Sequence, residues 1–201
     1  GKGKGKGKGK GKGKGKGKGK GKGKGKKMPP AEKSADGPPS TGLNSRGPAF
    51  EAADVPDDTF QDGKVADLAV ATLREMSQKK EPFFLAVGFS KPHLPFVAPK
   101  KYWDLYDPTK IQLAPNKFRP KDAPDYAIQP GGELRNYHGI PEGSIPDDLA
   151  RQLKHGYYAA ISYMDAQLGR VLDELDRLDL RKNTIVILWG DHGWKLGEHD
   201  A

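Results

Sequence analysis

The run Thr184-Ile-Val-Ile-Leu-Trp189 constrains the fold more than any other stretch of the chain. It is short, β-branched and nearly free of polar residues, so as a strand it is apolar on both faces. Such a strand needs cover on each side, a condition met by a parallel sheet between layers of helices. The expected fold class is therefore α/β, a mostly parallel sheet with helices on both faces. Ligands of such sheets sit beyond the carboxyl ends of the strands. There the chain continues Gly190-Asp-His-Gly193, with glycines that permit a turn aiming Asp191 and His192 at one point.

The amino-terminal region obeys other rules. Residues 1–26 are thirteen Gly-Lys pairs, followed by Lys27. This tract holds 14 of the 35 basic residues and no acid, leaving 21 basic against 26 acidic residues elsewhere, a net charge of −5 where the whole chain has +9. The remainder is thus mildly acidic, and no basic stripe interleaved with aromatics supports specific nucleic-acid binding. The tract has no apolar area to bury and is expected to be disordered, with nonspecific polyanion binding as its one functional alternative. Residues 28 to about 50 are rich in proline, glycine and serine without periodicity, and read as linker. The expected division is therefore a low-complexity tract and linker over 1–50 and a folded region over 51–201. No signal peptide or apolar span is visible, which says little about compartment in a chain with this beginning. The absence of cysteine excludes disulfides without fixing the redox environment.

Within the folded region, Val65, Leu68, Ala69, Thr72, Leu73 and Met76 recur at helical steps and predict a helix from about Gln61 to Gln78. Pro82-Phe-Phe-Leu-Ala-Val-Gly-Phe89 predicts a second buried strand. His93 stands four residues beyond it, between Pro92 and Pro95, which restrict the local backbone. From Pro92 to Pro146 there are ten prolines in 55 residues, with aromatic Tyr102, Trp103, Tyr106, Phe118, Tyr126 and Tyr137 spread between them. This long loop without regular structure is expected to form the wall of a substrate pocket, with a passive cover over the sheet as the alternative. Ser144 is expected to cap the next helix, with Pro146, Asp147 and Asp148 in its first turn. Leu153, Tyr157, Ala160, Ile161, Met164, Leu168, Val171, Leu172 and Leu175 make its apolar stripe, and Gly156 and Gly169 mark a bend or close packing. Asp165 and Gln167 read as solvated or capping residues, with support of site residues from behind as the alternative. A right-handed crossover between the two strands places Phe89 and Trp189 at one sheet edge, so that His93 and Asp191-His192 converge across about a hundred residues of sequence.

Three stretches carry a family resemblance: Pro82-Phe-Phe-Leu-Ala-Val-Gly-Phe-Ser-Lys-Pro-His-Leu-Pro-Phe96, Tyr157-Tyr-Ala-Ala-Ile-Ser-Tyr-Met-Asp165 and Gly190-Asp-His-Gly-Trp-Lys-Leu-Gly-Glu-His199. In this order they resemble the sulfatase family of the alkaline phosphatase superfamily, and within it the iduronate-2-sulfatase group with its bacterial relatives. The resemblance implies a sulfuric ester hydrolase acting on a sulfated carbohydrate, in a periplasmic, secreted or lysosomal setting. It implies a formylglycine nucleophile and a divalent metal, usually calcium. It matches Asp191 and His192 to two metal ligands, and His93 to a catalytic histidine that contacts the sulfate or the leaving oxygen; Lys91 takes no role from it. The family's Cys-x-Pro-x-Arg or Ser-x-Pro-x-Arg motif is not found, since Ser144-Ile-Pro146 is followed by Asp147-Asp148. The paired aspartates that complete the metal site and the lysine expected after His199 are also missing, so the chain is expected to be an internal fragment, inactive alone.

The chemistry of the residues fits such a site. A sulfate ester needs positive charge at its non-bridging oxygens and a donor at the departing alkoxide. Asp191 is a hard ligand suited to calcium, whereas His192 points to zinc or another transition metal, so donor chemistry leaves the metal open. His199 either orients the turn after the strand or is purely structural. A phosphodiesterase or phosphonate hydrolase of the same superfamily is the enzymatic alternative, and a polybasic binding module without catalysis is the other.

Overall fold

A computed structural model describes residues 46–127 and 132–200, the side chain of Asp200 excepted. The Gly-Lys tract and most of the linker lie outside the described residues, and so do the expectations made for them. The strands are β1 (Arg46–Pro48), β2 (Phe50–Ala53), β3 (Phe96–Pro99) and β4 (Tyr137–His138); the α-helices are α1 (Gln61–Ser77), α2 (Lys100–Trp103) and α3 (Asp147–Arg177). Both strand pairs are parallel, β1 with β4 and β2 with β3, the latter in register from Phe50 opposite Phe96 to Ala53 opposite Pro99. Among the described residues no helix is long and apolar enough to cross a membrane.

Helix α1 forms where its periodicity places it. It buries Asp62, Gly63, Ala66, Ala69 and Leu73, while Leu68 of the expected stripe is exposed. Helix α3 begins later than expected: Pro146 occupies the cap position without a side-chain hydrogen bond, so Ser144 is not the cap, and Asp147 and Asp148 face the positive end of the helix dipole. Its buried face runs through Leu153, Gly156, Ala159, Ala160, Tyr163, Gln167, Val171, Glu174 and Leu175, leaving Ile161 at the surface. Gly156 is where β2, β3 and α2 press against α3: a Cβ there would stand 2.8 Å from Trp103, 3.0 Å from Phe96 and 3.2 Å from Phe50. Gly169 has open space around it.

The two apolar runs depart from expectation. Residues 82–89 and 184–190 form no strand ladder among the described residues. Along 82–89 the side chains alternate: Phe83, Leu85, Val87 and Phe89 pack on the cluster that joins α1 to α3, while Phe84 is 90% exposed. Ile185, Ile187, Leu188 and Trp189 are exposed as well. A strand is completed by neighbours that satisfy its backbone and layers that cover its faces. The described residues supply one face to the first run and no strand neighbour to either.

The proline-rich stretch is also more regular than expected. It contains β3, α2 and β4, and it places Phe96, Ala98, Tyr102 and Trp103 in the core. Its prolines end or border these short elements instead of interrupting longer ones. Beneath it lies a buried polar network. Tyr163 Oη accepts from Gly63 N at 2.7 Å and donates to the Asp57 carbonyl at 2.9 Å. Tyr102 Oη donates to Asp57 Oδ2, which also accepts from Gln167 Nε2. Burial pushes the Tyr163 phenol up to about 12, so the donor stays protonated. Gln167 is thus wholly buried and bonded, not solvated, because its turn of α3 faces the network rather than water.

Candidate active site

His93 sits on the turn 90–95 between the first apolar run and β3. The turn begins where residues 82–89 leave the α1–α3 cluster, and there Asp62, 1% exposed in the first turn of α1, receives it. Asp62 Oδ1 accepts from Ser90 N and Ser90 Oγ, and Oδ2 accepts from Lys91 N, each at 2.9 Å. His93 N donates to the Ser90 carbonyl at 3.0 Å, closing the turn. The imidazole Nδ1 lies 2.8 Å from the Leu94 carbonyl, so Nδ1 carries the proton and Nε2 faces away from the turn. Nε2 stands 3.4 Å from Glu133 Oε2, whose other oxygen accepts from Arg46 at 2.7 Å. The His93 side chain remains about half exposed, open to a ligand from one side.

Asp191 and His192 lie on an exposed turn. Neither Gly190 nor Gly193 adopts a left-handed conformation; the positive φ values of this region fall at Gly197 and His199, so the turn bends farther along the chain than expected. His192 Nδ1 lies 3.1 Å from the Gly193 carbonyl and donates to it, which leaves Nε2 as the lone-pair nitrogen, 3.6 Å from Asp191 Oδ2. At ligand distances of about 2.4 Å, two donors so spaced subtend about 100° at a single cation, a usual angle between neighbouring ligands. The pair therefore fits as two members of a ligand set. Among the described residues no group of three or more His, Cys, Asp or Glu side chains forms a whole one.

Trp194 connects the two turns. Its ring meets His93 edge-to-face at 6.3 Å and Phe96 at 6.1 Å. His93 and the stretch after Trp189 thus approach each other through Trp194 and not through His192, and no sheet edge joins them, because neither apolar run forms a strand among the described residues. His199 donates its backbone N–H to the Asn116 carbonyl at 2.8 Å, with its Nε2 at 3.2 Å from Asn116 Nδ2, so it ties the turn to the proline-rich segment. That segment also borders a groove of about 680 Å³ between residues 105–115, Lys154 and Tyr158 of α3, and Glu198.

Asp62 and Glu133 escaped the reading of the sequence. Asp62 looks like any acid in a first helical turn, and Glu133 lies in a proline- and glycine-rich stretch without pattern. Each meets the His93 turn only through tertiary contacts.

The sulfatase family profile matches residues 18–201. Iduronate 2-sulfatase of Mus musculus is 41% identical over 156 residues, which cover 74% of this chain and 28% of the relative. Choline-sulfatase of Rhizobium meliloti (strain 1021) is 30% identical over 151 residues, covering 73% and 29%. A multifunctional alkaline phosphatase superfamily protein of Trinickia caryophylli is 33% identical over 132 residues, covering 59% and 25%. The chain spans between a quarter and a third of the length of these relatives.

Proposed function

The chain belongs to the sulfatase family, and from that premise we propose that it contributes His93, Asp191 and His192 to the active site of a sulfuric ester hydrolase acting on a sulfated sugar. Its parallel strand pairs and packed helices are those of the family's alkaline-phosphatase-like fold. The observation that carries the proposal is the Trp194 contact, which joins the His93 turn to the Asp191-His192 turn in one place.

In this reading Asp191 Oδ2 and His192 Nε2 hold a divalent cation, calcium by the family pattern, together with ligands outside the 201 residues. Such a cation, when bound, draws charge from the non-bridging oxygens of the sulfate. With Nδ1–H committed to the Leu94 carbonyl, the outward Nε2 is the atom that faces the leaving oxygen, and it donates to that oxygen when the ring carries a proton on both nitrogens. Trp194 meets that imidazole edge-to-face on one side. The nucleophile is a formylglycine supplied from outside this sequence, which contains no cysteine. The same donors suit a phosphodiester or phosphonate, a second reading within the same superfamily. Nonspecific binding of polyanions by the Gly-Lys tract is a separate proposal and rests on charge alone.

The test is made on the full-length protein by measuring bound metal and steady-state hydrolysis of sulfate and phosphate esters. Asp191→Ala is expected to lose metal and most turnover together, because a cation missing a charged ligand is poorly held. His93→Ala is expected to keep the metal and lose about a hundredfold in kcat. Full turnover by His93→Ala with normal metal content would refute the assignment, and preference for phosphodiesters would move the protein to the second reading.

A further inference from the structure

We propose that Asp62 and Lys91 form a clamp that fixes the direction of the His93 imidazole, both acting as positioning residues; the proposal rests on the reading of His93 as the donor to the leaving oxygen. The need for a clamp is set by the sequence of the turn. Pro92 and Pro95 have no backbone N–H, so the turn cannot build its own ladder, and its remaining donors and carbonyls must find partners elsewhere. Asp62 takes the donors at one end: Ser90 N, Ser90 Oγ and Lys91 N converge on its two oxygens. Lys91 folds back to take the carbonyls at the other end, its Nζ donating to His93 O at 3.1 Å and to Pro95 O at 2.7 Å.

The two halves are electrostatically joined. Burial draws the Lys91 amine down, and the charge of Asp62 opposes that shift. A partly buried ammonium already giving two hydrogen bonds to main-chain carbonyls is spent on the turn, which sets Lys91 apart from a lysine presented to an anionic substrate. The carbonyl of His93 is held by Lys91, its N–H by Ser90, and Ser90 by Asp62, so the backbone that carries the imidazole is fixed on both sides. A donor to a leaving group must sit within a fraction of an ångström of its productive place, and a displacement of about 1 Å costs on the order of a hundredfold in rate.

The experiment uses the full-length enzyme with Asp62→Asn, Lys91→Met, His93→Ala and the two double variants containing His93→Ala. Asp62→Asn keeps an acceptor for Ser90 but turns an N–H toward Lys91 N, and Lys91→Met keeps the stem without the amine. Each single clamp variant is expected to lower kcat by about tenfold or more with KM little changed. Neither is expected to lower kcat further once His93 is replaced by alanine, since the clamp acts through that side chain. A second measurement, hydrogen exchange, does not depend on activity: exchange over residues 90–97 is expected to speed up in both variants while α1 and α3 stay protected. Equal losses with and without His93 would overturn the proposal, as would a change confined to KM in Lys91→Met, or unaltered exchange in the turn. If the wild-type protein hydrolyses no sulfate ester the functional reading fails by itself, and the exchange result still decides the clamp. Should Asp62→Asn fail to fold, Lys91→Met carries the test.

Discussion

Two glycines of the same helix should respond in opposite ways to the same substitution. Alanine is favoured over glycine in a helix interior by about 1 kcal/mol, so on intrinsic grounds Gly156→Ala and Gly169→Ala each stabilise α3 by that amount. The surroundings separate them. At Gly169 nothing lies within 4 Å of the new methyl group, and the intrinsic gain stands. At Gly156 the methyl meets the Trp103 ring at 2.8 Å and the Cβ atoms of Phe96 and Phe50 at 3.0 and 3.2 Å. Carbon atoms prefer separations of about 3.5–4.0 Å. A Cβ is bound to its own backbone, so relief requires β2 and β3 to move away from the helix, and overpacking of this kind costs about 1–3 kcal/mol. Because the propensity term is common to both variants, the gap between them equals the packing term. At about 2–4 °C per kcal/mol for a chain of this size, the two melting temperatures should differ by about 2–12 °C, with Gly169→Ala above the wild type. Thermal and urea unfolding of the two variants beside the wild type make the measurement. Equal stability of the two variants would refute the close approach of β2, β3 and α2 to α3.

Tyr163→Phe should lower stability by about 1–3 kcal/mol, because it leaves the Gly63 N–H without its acceptor and removes the closer of two donors to the Asp57 carbonyl; an unchanged urea midpoint would show that the network is not satisfied through this hydroxyl. Glu174 should make stability depend on acid. Hydrogen bonds from Arg177 and Arg74 hold its carboxyl at about 2, below the ordinary 4.5. A depressed folded value means that the stabilisation is present above the unfolded pKa and is lost as pH falls through the folded one. The melting-temperature advantage of the wild type over Glu174→Gln should therefore be complete above pH 4.5 and shrink toward pH 2; an advantage independent of pH would contradict the assignment.

The sequence alone determined what repeats locally. The 3.6-residue spacing of apolar side chains was enough to place α1 within one residue of its ends and to identify α3. Gly156 and Gly169 both read as a bend or close packing, and only the fold showed that the close approach is at Gly156. The positions of His93, Asp191 and His192 just past two apolar runs were legible because side-chain period and turn chemistry are properties of neighbouring residues. What required the tertiary structure was every interaction closed across the chain. Asp62 binds a turn 28 residues away, Glu133 reaches His93 from a loop without pattern, and Gln167 is polar in sequence yet buried because Asp57, 110 residues distant, accepts its hydrogen bond. The same distinction explains the strands. An apolar, strand-like pattern is written in residues 82–89 and 184–189, but a strand exists only when a second backbone takes its N–H and C=O groups, and that partner is a fact of the fold.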